Sequence, residues 1–241
     1  SISGGAPLPV EMKKQFEALT GATLREGYGL TETSAVVAVN PYYGEAKEGS
    51  VGLPVPGTKI VICDQDHPEK VLPIGETGEI CIIGPQVMKG YWQKPEASAE
   101  TLINGRLRTG DIGYMNEEGY TFIVDRAKDL ILVGGFNVYP RQIEEAIYQH
   151  PAVKEVTVIG IADDYHGEVP KAFLVLEDGA ALTSEELRDF LKPLLGKVEI
   201  PRAYEFRDEL PKTMIGKLSR KELVEEERAK ARAKEATVSA A

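Results

Sequence analysis

The stretch RTGDIGYMNEEGYTFIVDRAKD, from Arg108 to Asp129, contains the features on which the interpretation of the whole chain depends. It holds a Thr-Gly-Asp sequence, whose residue types also occur in turns, a predicted NEEG hairpin turn (Asn116 to Gly119) and a predicted apolar strand, YTFIV. Asp111 and Arg126 lie fifteen residues apart within it. A carboxylate can accept two hydrogen bonds from a diol, and an arginine adds charged donors. We therefore expect these two side chains to bind one polar ligand.

Composition indicates a folded, acidic protein. The 241 residues include 28 Lys plus Arg against 38 Asp plus Glu, a net charge of −10. Hydrophobic residues make up 42% and charged residues 27%, which is ordinary for a globular chain. A nucleic acid or an anionic membrane is disfavoured as the main partner, because both attract a cationic face. The sequence has no stretch apolar enough to span a bilayer, and we expect a soluble, cytoplasmic protein.

Cysteine and histidine usage gives no support for a metal centre built from these residues. Cys63 and Cys81 each lie in an apolar run without metal-site spacing, and are predicted to be buried, reduced thiols. His166 has acidic neighbours, but their spacing fits no metal-ligand pattern, and a solvated loop is predicted there.

The residue pattern predicts a mixed α+β chain in two parts. A short amphipathic helix is expected from Pro9 to Leu19. Between Thr23 and Val124, short strands alternate with Gly and Pro, with one helix at Pro95 to Leu102. This part is predicted to be a β-rich barrel or sandwich.

A small α+β domain is predicted after Arg126. The segment YPRQIEEAIYQH is a predicted helix with Pro140 in its first turn, where the missing N–H costs little. TSEELRDFLKPLL starts with a Ser/Thr cap and acids, and Pro193 should disturb its last turn. KEVTVIGI and KAFLVLE are predicted strands. Arg220 to Ala236 is rich in Glu, Lys, Arg and Ala, and predicts a solvated helix that frays into a disordered end.

Three further segments place polar groups beside glycine or turns: YGLTET (Tyr28 to Thr33), DRAKD (Asp125 to Asp129) and PKTMIGK (Pro211 to Lys217). With RTGD, and in this order, they resemble the adenylate-forming enzymes, a superfamily of acyl-CoA synthetases, adenylation domains and luciferases. The segments GPQVMKGYW, TGDIGYMNEEGY, VGGFNVYP and HPAVKEVTVIG are most similar to long- or medium-chain fatty acyl-CoA synthetases. Arg106 departs from the pattern, because tryptophan is usual at its position.

The resemblance implies a particular domain organisation. A Ser/Thr/Gly-rich phosphate loop is expected ahead of these motifs, so the chain resembles the C-terminal half of such an enzyme and is expected to be inactive alone. Residues 1–127 would form the C-terminal part of the large nucleotide-binding domain. Residues 128–223 would form a small mobile lid with its hinge near Lys128, and residues 224–241 a charged tail, helical or disordered.

The reaction implied by the resemblance is ATP-dependent, AMP-forming activation of a fatty acid, followed by transfer of the acyl group to CoA. Glu32 would bind Mg²⁺ through hard oxygen ligands. Lys217 would contact the α-phosphate and the carboxylate during adenylation, where a compact ammonium suits several oxygens. Rotation about Lys128 would then bring Gly135 to the pantetheine arm of CoA.

The resemblance also implies a nucleotide site. Asp111 would hold the ribose hydroxyls, and Arg126 would add charged donors to the sugar or phosphate. Tyr28 would offer a stacking face and Thr31 a hydroxyl for phosphate. The residues implied to bind ATP, AMP or CoA are Gly5, Ala6, Pro7, Gly27, Tyr28, Gly29, Thr31, Asp111, Arg126, Gly135 and Lys217. The residues implied to act in catalysis are Lys217, Thr31 and Glu32.

Other interpretations remain open at this point. The protein could be an aryl-acid or other carboxylate CoA ligase, or the chain could be an inert nucleotide-binding or interaction module. A peptide-synthetase adenylation domain is disfavoured, because no carrier domain with a Ser attachment site follows. Taken singly, each motif also fits a structural role, such as a capped turn or a solvated lysine. Peripheral association of the full-length protein with a membrane is compatible with the resemblance.

Overall fold

The computed structural model describes residues 1–214 and 216–239, and these form two compact units. The first unit is Ser1–Lys128, and the second begins at Asp129. The division falls beside Lys128, where the sequence places a hinge. The hinge motion and the roles given to the two domains remain predictions.

A four-stranded sheet opens the first unit. Its strands are β1 (Ile2–Ser3), β2 (Arg25–Leu30), β3 (Ala35–Val39) and β4 (Leu53–Pro54). They lie in the order β1-β2-β3-β4, with β1 parallel to β2 and the other pairs antiparallel. Helix α1 (Val10–Thr20) connects β1 to β2, close to the predicted helix. Gly21 ends α1 in a left-handed conformation (φ 67°), which glycine adopts without steric cost.

A five-stranded sheet forms the rest of the first unit. Its strands are β5 (Lys59–Cys63), β6 (Gly78–Ile83), β7 (Leu102–Ile103), β8 (Arg106–Met115) and β9 (Thr121–Arg126). Strand β8 pairs antiparallel with β6, β7 and β9. The predicted NEEG hairpin is confirmed, because Gly119 N–H donates to the Asn116 carbonyl at 3.0 Å between β8 and β9. Helix α2 (Pro95–Thr101) confirms the predicted single helix.

The two sheets of the first unit share one apolar core. Buried side chains come from β2 and β3 of one sheet and from β5, β6 and β8 of the other, as expected for a barrel or sandwich. The residues of this core are Tyr28, Val37, Ala38, Val51, Ile60, Ile62, Ile80, Ile82 and Leu107. Both cysteines are confirmed as free and buried, and burial raises the pKa of Cys81.

The second unit is a five-stranded sheet with helices. Its strands are β10 (Ile131–Val133), β11 (Phe136–Val138), β12 (Val153–Asp163), β13 (Gly167–Leu176) and β14 (Ala203–Phe206). Strands β11, β10, β13 and β12 are antiparallel neighbours, and β14 pairs parallel with β13. The helices are α3 (Pro140–Tyr148), α4 (Ser184–Leu191) and α5 (Arg220–Ser239).

The helix boundaries in the second unit follow local sequence chemistry. Pro140 is the first residue of α3, as predicted. Thr183 caps α4 by accepting from Glu186 N–H, and Glu186 bonds back to Thr183 N–H. Helix α4 ends at Leu191, before Pro193.

Strand β13 is covered on both faces, because alternate side chains point to opposite sides of a sheet. Ala172 and Leu174 join a core that contains α3 and α4. Phe173 and Val175 join a second core that contains Leu223 of α5. Among the described residues, none of the helices is long and apolar enough to cross a membrane.

Helix α5 is packed on the sheet, which corrects the expectation of a wholly solvated helix. Leu223 has no exposed surface, and the Glu227 carboxylate lies 2.9 Å from Lys171 Nζ. The helix begins at Arg220 and continues through the predicted domain boundary at residue 223 without a break. The last two residues of the predicted tail, 240 and 241, lie outside the described residues.

An ion-pair network holds α5 against β13 and β14. Glu205 accepts from Lys171 Nζ at 2.7 Å, and Arg207 pairs with Glu226 at 2.6 Å. Burial raises the pKa of Glu205, but hydrogen bonds from Lys171 and Arg207 outweigh it and lower that pKa to about 2. The Glu205 carboxylate therefore stays ionised near neutral pH.

Leu223→Ala should lower the free energy of unfolding of the chain by about 3 kcal/mol, because it leaves a cavity in the core under α5. Leu194→Ala is the control, since Leu194 is 43% exposed and should cost about 0.5 kcal/mol. Urea denaturation followed by circular dichroism compares the two. Equal losses would show that α5 does not pack as described.

Candidate active site

The hairpin of β8 and β9 places Asp111 directly opposite Arg126. The two residues are cross-strand partners, and Arg126 Nε donates to Asp111 Oδ1 at 3.0 Å. Asp111 is 5% exposed, whereas the Arg126 side chain is 51% exposed. The fifteen residues that separate Asp111 from Arg126 therefore form a hairpin, which brings a carboxylate and a guanidinium together. The structure confirms that these two side chains meet.

Tyr28 completes this cluster from the other sheet. Its hydroxyl donates to Asp111 Oδ2 at 2.5 Å, across 83 residues of sequence. Burial first, and then the negative charge of Asp111, raise the pKa of Tyr28, so the phenol remains a donor. The ring is 8% exposed and belongs to the core of the first unit. This corrects the expectation of an open stacking face, because the hydroxyl orients Asp111 while the ring packs inside.

Glu79 positions the RTGD segment. Its Oε2 accepts from Arg108 Nε at 2.7 Å, and its Oε1 accepts from Gly110 N–H at 3.0 Å. Thr109 adds a hydrogen bond to the Ile80 carbonyl at 2.8 Å. Sequence reasoning missed Glu79. The available indication was an acid inside the apolar strand GEICII, since a buried carboxylate requires partners.

The YGLTET segment forms a tight turn after β2. Thr31–Thr33 is a 3₁₀ turn, closed by Leu30 N–H donating to Thr33 Oγ1 at 3.0 Å. Gly29 is required there, because a Cβ at this position would lie 1.6 Å from the Ala35 carbonyl oxygen. Ala35 has φ 107°, a strained value for a residue with a side chain. Thr31 is exposed at this turn.

Glu32 lines a cavity of about 270 Å³ that it shares with the RTGD segment. Tyr91 donates to Glu32 Oε1 at 2.8 Å, and this hydrogen bond raises the pKa of Tyr91. Thr109 and Gly110, next to Asp111, line the same cavity. The turn predicted for catalysis and the segment predicted for ribose thus meet in one place. Tyr91 was missed because nothing in GPQVMKGYW distinguishes its hydroxyl from that of a surface tyrosine.

The SGGAPL loop follows β1. Because β1 and β2 are parallel, this loop and the turn after β2 leave their sheet at the same edge. A Cβ on Gly4 would lie 3.0 Å from the Gly27 carbonyl oxygen, so the loop starts close to β2. Gly5, Ala6 and Pro7 are exposed. Their role in binding ATP, AMP or CoA remains a prediction.

Gly135 and Lys217 belong to the second unit. Gly134 and Gly135 form the two-residue turn between β10 and β11, with φ 56° and 86°, as a type I′ turn requires. A Cβ on Gly135 would meet nothing within 4 Å. Lys217 is exposed in a loop closed by Thr213 N–H donating to the Lys217 carbonyl at 2.7 Å. The roles of both residues remain predictions.

Two stretches of the chain match known protein families. Residues 1–92 match the family described as "AMP-binding enzyme", and residues 142–217 match "AMP-binding enzyme C-terminal domain". The chain belongs to this family of adenylate-forming enzymes.

Its relatives include acyl-CoA ligases. The chain is 52% identical over 226 residues to the long-chain-fatty-acid–CoA ligase of Bacillus subtilis (strain 168), covering 94% of this chain and 40% of the relative. A ligase of the same name from Escherichia coli O6:H1 is 49% identical, with 95% and 40% covered. The chain therefore spans about 40% of the length of these curated relatives.

Solved structures agree with the fold. ATP-bound MatB from Rhodopseudomonas palustris matches with a TM-score of 0.88 and 38% identity, covering 92% of this chain and 44% of that one. The anthranilate CoA ligase AuaEII in complex with anthranoyl-AMP matches with a TM-score of 0.87 and 31% identity, covering 96% and 45%.

Glu79→Gln should destabilise the chain by about 1–3 kcal/mol, because the amide loses the charge that pairs with Arg108 in a buried setting. Glu76→Gln is the matched control, since Glu76 is exposed on the preceding turn. Thermal and urea denaturation of both variants measure the difference. Identical stabilities would contradict a positioning role for Glu79.

Proposed function

We propose that the full-length protein is an ATP-dependent, AMP-forming fatty acyl-CoA synthetase. The observation that carries the proposal is the cluster of Tyr28, Asp111 and Arg126, in which a buried carboxylate is oriented by a phenol and a guanidinium. This arrangement suits the hydroxyls and phosphate of a nucleoside monophosphate. The named activity of the curated relatives supports the same assignment.

The reaction has two steps. In the first, an oxygen of the fatty acid carboxylate attacks the α-phosphorus of ATP, the bond to pyrophosphate breaks, and acyl-AMP forms. Negative charge builds on the phosphate oxygens, and Lys217 would stabilise it as a point charge. In the second, the CoA sulfur attacks the acyl carbonyl carbon and loses its proton, and AMP leaves. The backbone of Gly135 would border the arm that carries this sulfur.

The first unit would hold the nucleotide. Asp111 would accept hydrogen bonds from the ribose diol, Arg126 would donate to the sugar or phosphate, and Thr31 would donate to phosphate. Glu32 fits Mg²⁺ as a single carboxylate ligand, because this ion is commonly held by one or two carboxylates plus substrate phosphates. When bound, the ion neutralises phosphate charge. Tyr91 orients the Glu32 carboxylate for that contact.

A fatty acid is favoured over an aryl acid as substrate. The long-chain-fatty-acid–CoA ligases are 49 and 52% identical to this chain, whereas the anthranilate CoA ligase is 31% identical. The substrates, CoA included, are small molecules.

The direct test supplies the full-length protein with ATP, Mg²⁺, CoA and a panel of fatty and aryl acids. We expect AMP and acyl-CoA with fatty acids, measured by chromatography of both products. Thioester formation with aryl acids alone would show that the substrates are aryl acids and not fatty acids. Absence of AMP and thioester with every acid would overturn the proposed activity.

Lys217→Ala in the full-length protein should slow adenylation about 100-fold or more, because it removes the ammonium from the developing phosphate charge. Thioester formation from a preformed acyl-adenylate should change little. Pyrophosphate release and acyl-CoA formation report the two steps separately. Lys221→Ala, on exposed α5 surface four residues later, is the control. An equal loss of rate in both steps would contradict the proposal that Lys217 acts in adenylation and not in thioester formation.

A further inference from the structure

The Lys217 loop, residues 211–214 and 216–219, is a narrow antiparallel loop of the second unit. Lys212 and Leu218 form an isolated antiparallel bridge across it, and Thr213 N–H donates to the Lys217 carbonyl at 2.7 Å. Lys217 lies just beyond this bridge. Its position therefore follows from how the base of the loop is held.

The base of the Lys217 loop is attached first to strand β12. Lys212 Nζ lies 2.6 Å from Glu155 Oε1, and Glu155 belongs to β12. Because the Lys212 side chain is 44% exposed, this ion pair alone would contribute little to stability. Leu218, opposite Lys212, packs against the core under α5. One charged and one apolar contact thus set the direction in which the loop leaves the sheet.

A second attachment comes from Arg220, the first residue of α5, which directly follows the loop. Its Nη1 donates to Asp129 Oδ2 at 3.2 Å, and its Nη2 donates to Glu144 Oε2 at 2.6 Å. Glu144 lies on α3 and also accepts from Val158 N–H of β12 at 2.8 Å. Asp129 is the residue after Lys128, where the hinge is placed. Arg220 therefore connects the loop both to α3 and to the segment next to the hinge.

Arg220 occupies a position that is unfavourable for a cation. The N-terminus of a helix carries a partial positive charge, so an arginine is favoured at the opposite end. The Arg220 side chain is only 23% exposed, whereas Arg228 further along α5 is exposed to solvent. Two carboxylates offset the helix dipole and the loss of hydration. Desolvation cancels much of this attraction, so the arrangement fixes the geometry of the loop more than it adds stability.

We propose that Arg220 and Lys212 are positioning residues for Lys217, holding the base of its loop so that the ammonium reaches the α-phosphate in one orientation. The inference rests on the proposed function, in which Lys217 stabilises the charge that develops during adenylation. The stem of a lysine is flexible, so the backbone that carries it has to be fixed. A misplacement of about 1 Å can cost about 100-fold in rate. Neither positioning residue needs to touch the reacting atoms.

Arg220→Gln in the full-length protein tests the attachment to α3 and the hinge segment. The amide removes the charge that both carboxylates bind. The kcat for adenylation, measured as pyrophosphate release, should fall about tenfold because Lys217 is misplaced. The KM for ATP and the rate of thioester formation from a preformed acyl-adenylate should each change less than about twofold, since neither is assigned to Lys217. Arg228→Gln, the same change on the exposed surface of α5, is the control.

An exchange of charges tests the attachment to β12. Lys212→Glu should slow adenylation about tenfold, because it places two carboxylates side by side at the base of the loop. Adding Glu155→Lys restores the ion pair in the reverse direction, and should recover most of the lost rate. A lysine that contacted the substrate phosphate directly would not be replaced by this exchange. Lys221→Glu, at an exposed position of α5, is the control.

Three results would overturn the positioning role. They are an unchanged adenylation rate in Arg220→Gln, an equal loss of rate in both of its half-reactions, and no recovery in the exchanged pair. The second result would indicate a general change in the second unit, and the third a direct contact of Lys212 with substrate.

A measurement without turnover separates this inference from the proposed activity. Should the wild-type protein form no acyl-CoA, the proposed activity fails by itself. Amide hydrogen exchange over residues 211–220 of the full-length proteins, followed by mass spectrometry, then decides the positioning role. Faster exchange in Arg220→Gln than in Arg228→Gln would support it, because the loop would open more often. Equal exchange in the two variants would contradict it.

Discussion

The carboxylate of Asp111 is the group on which the first unit depends. It is buried, and a buried negative charge is costly unless donors surround it. Tyr28 supplies one donor from the first sheet and Arg126 another from the second, so a single carboxylate links both sheets that enclose the core. Glu79, on the neighbouring strand β6, is also a buried carboxylate surrounded by donors. It accepts from Arg108 and from the Gly110 N–H, and these bonds fix the part of β8 just before Asp111. Polar groups that could contact a nucleotide are therefore the same groups that order the fold around them.

Sequence reasoning worked where local chemistry determines local structure. The NEEG hairpin, the proline at the start of α3 and the capping of α4 by Thr183 all follow from neighbouring residues, and the structure contains each of them. It failed where a side chain's environment comes from distant strands. Tyr28 was expected to present an open face, but strands far along the chain cover it, and Leu223 was placed in a solvated helix because its own segment is highly charged.

The candidate site shows the same division. The spacing of Asp111 and Arg126 was informative because the two residues lie opposite each other on the two strands of one hairpin. Glu79 and Tyr91 were missed, since each acts on a partner 29 to 59 residues away and carries no recognisable pattern. The order of the motifs along the chain is explained by its membership of the family of adenylate-forming enzymes. The groups proposed to bind the nucleotide lie in the first unit, while Gly135 and Lys217 lie in the second, a distribution that suits the two proposed steps.

The docking of α5 has a consequence for how the chain tolerates shortening. Phe173 and Val175 point to the face of β13 that Leu223 covers, and Leu210 is buried in the same group. A chain ending ahead of Leu223 would present that sheet face to water while keeping its other face folded on α3 and α4. Contiguous apolar surface of this kind drives self-association. Although α5 is highly charged, its Leu223 therefore covers an apolar face of β13.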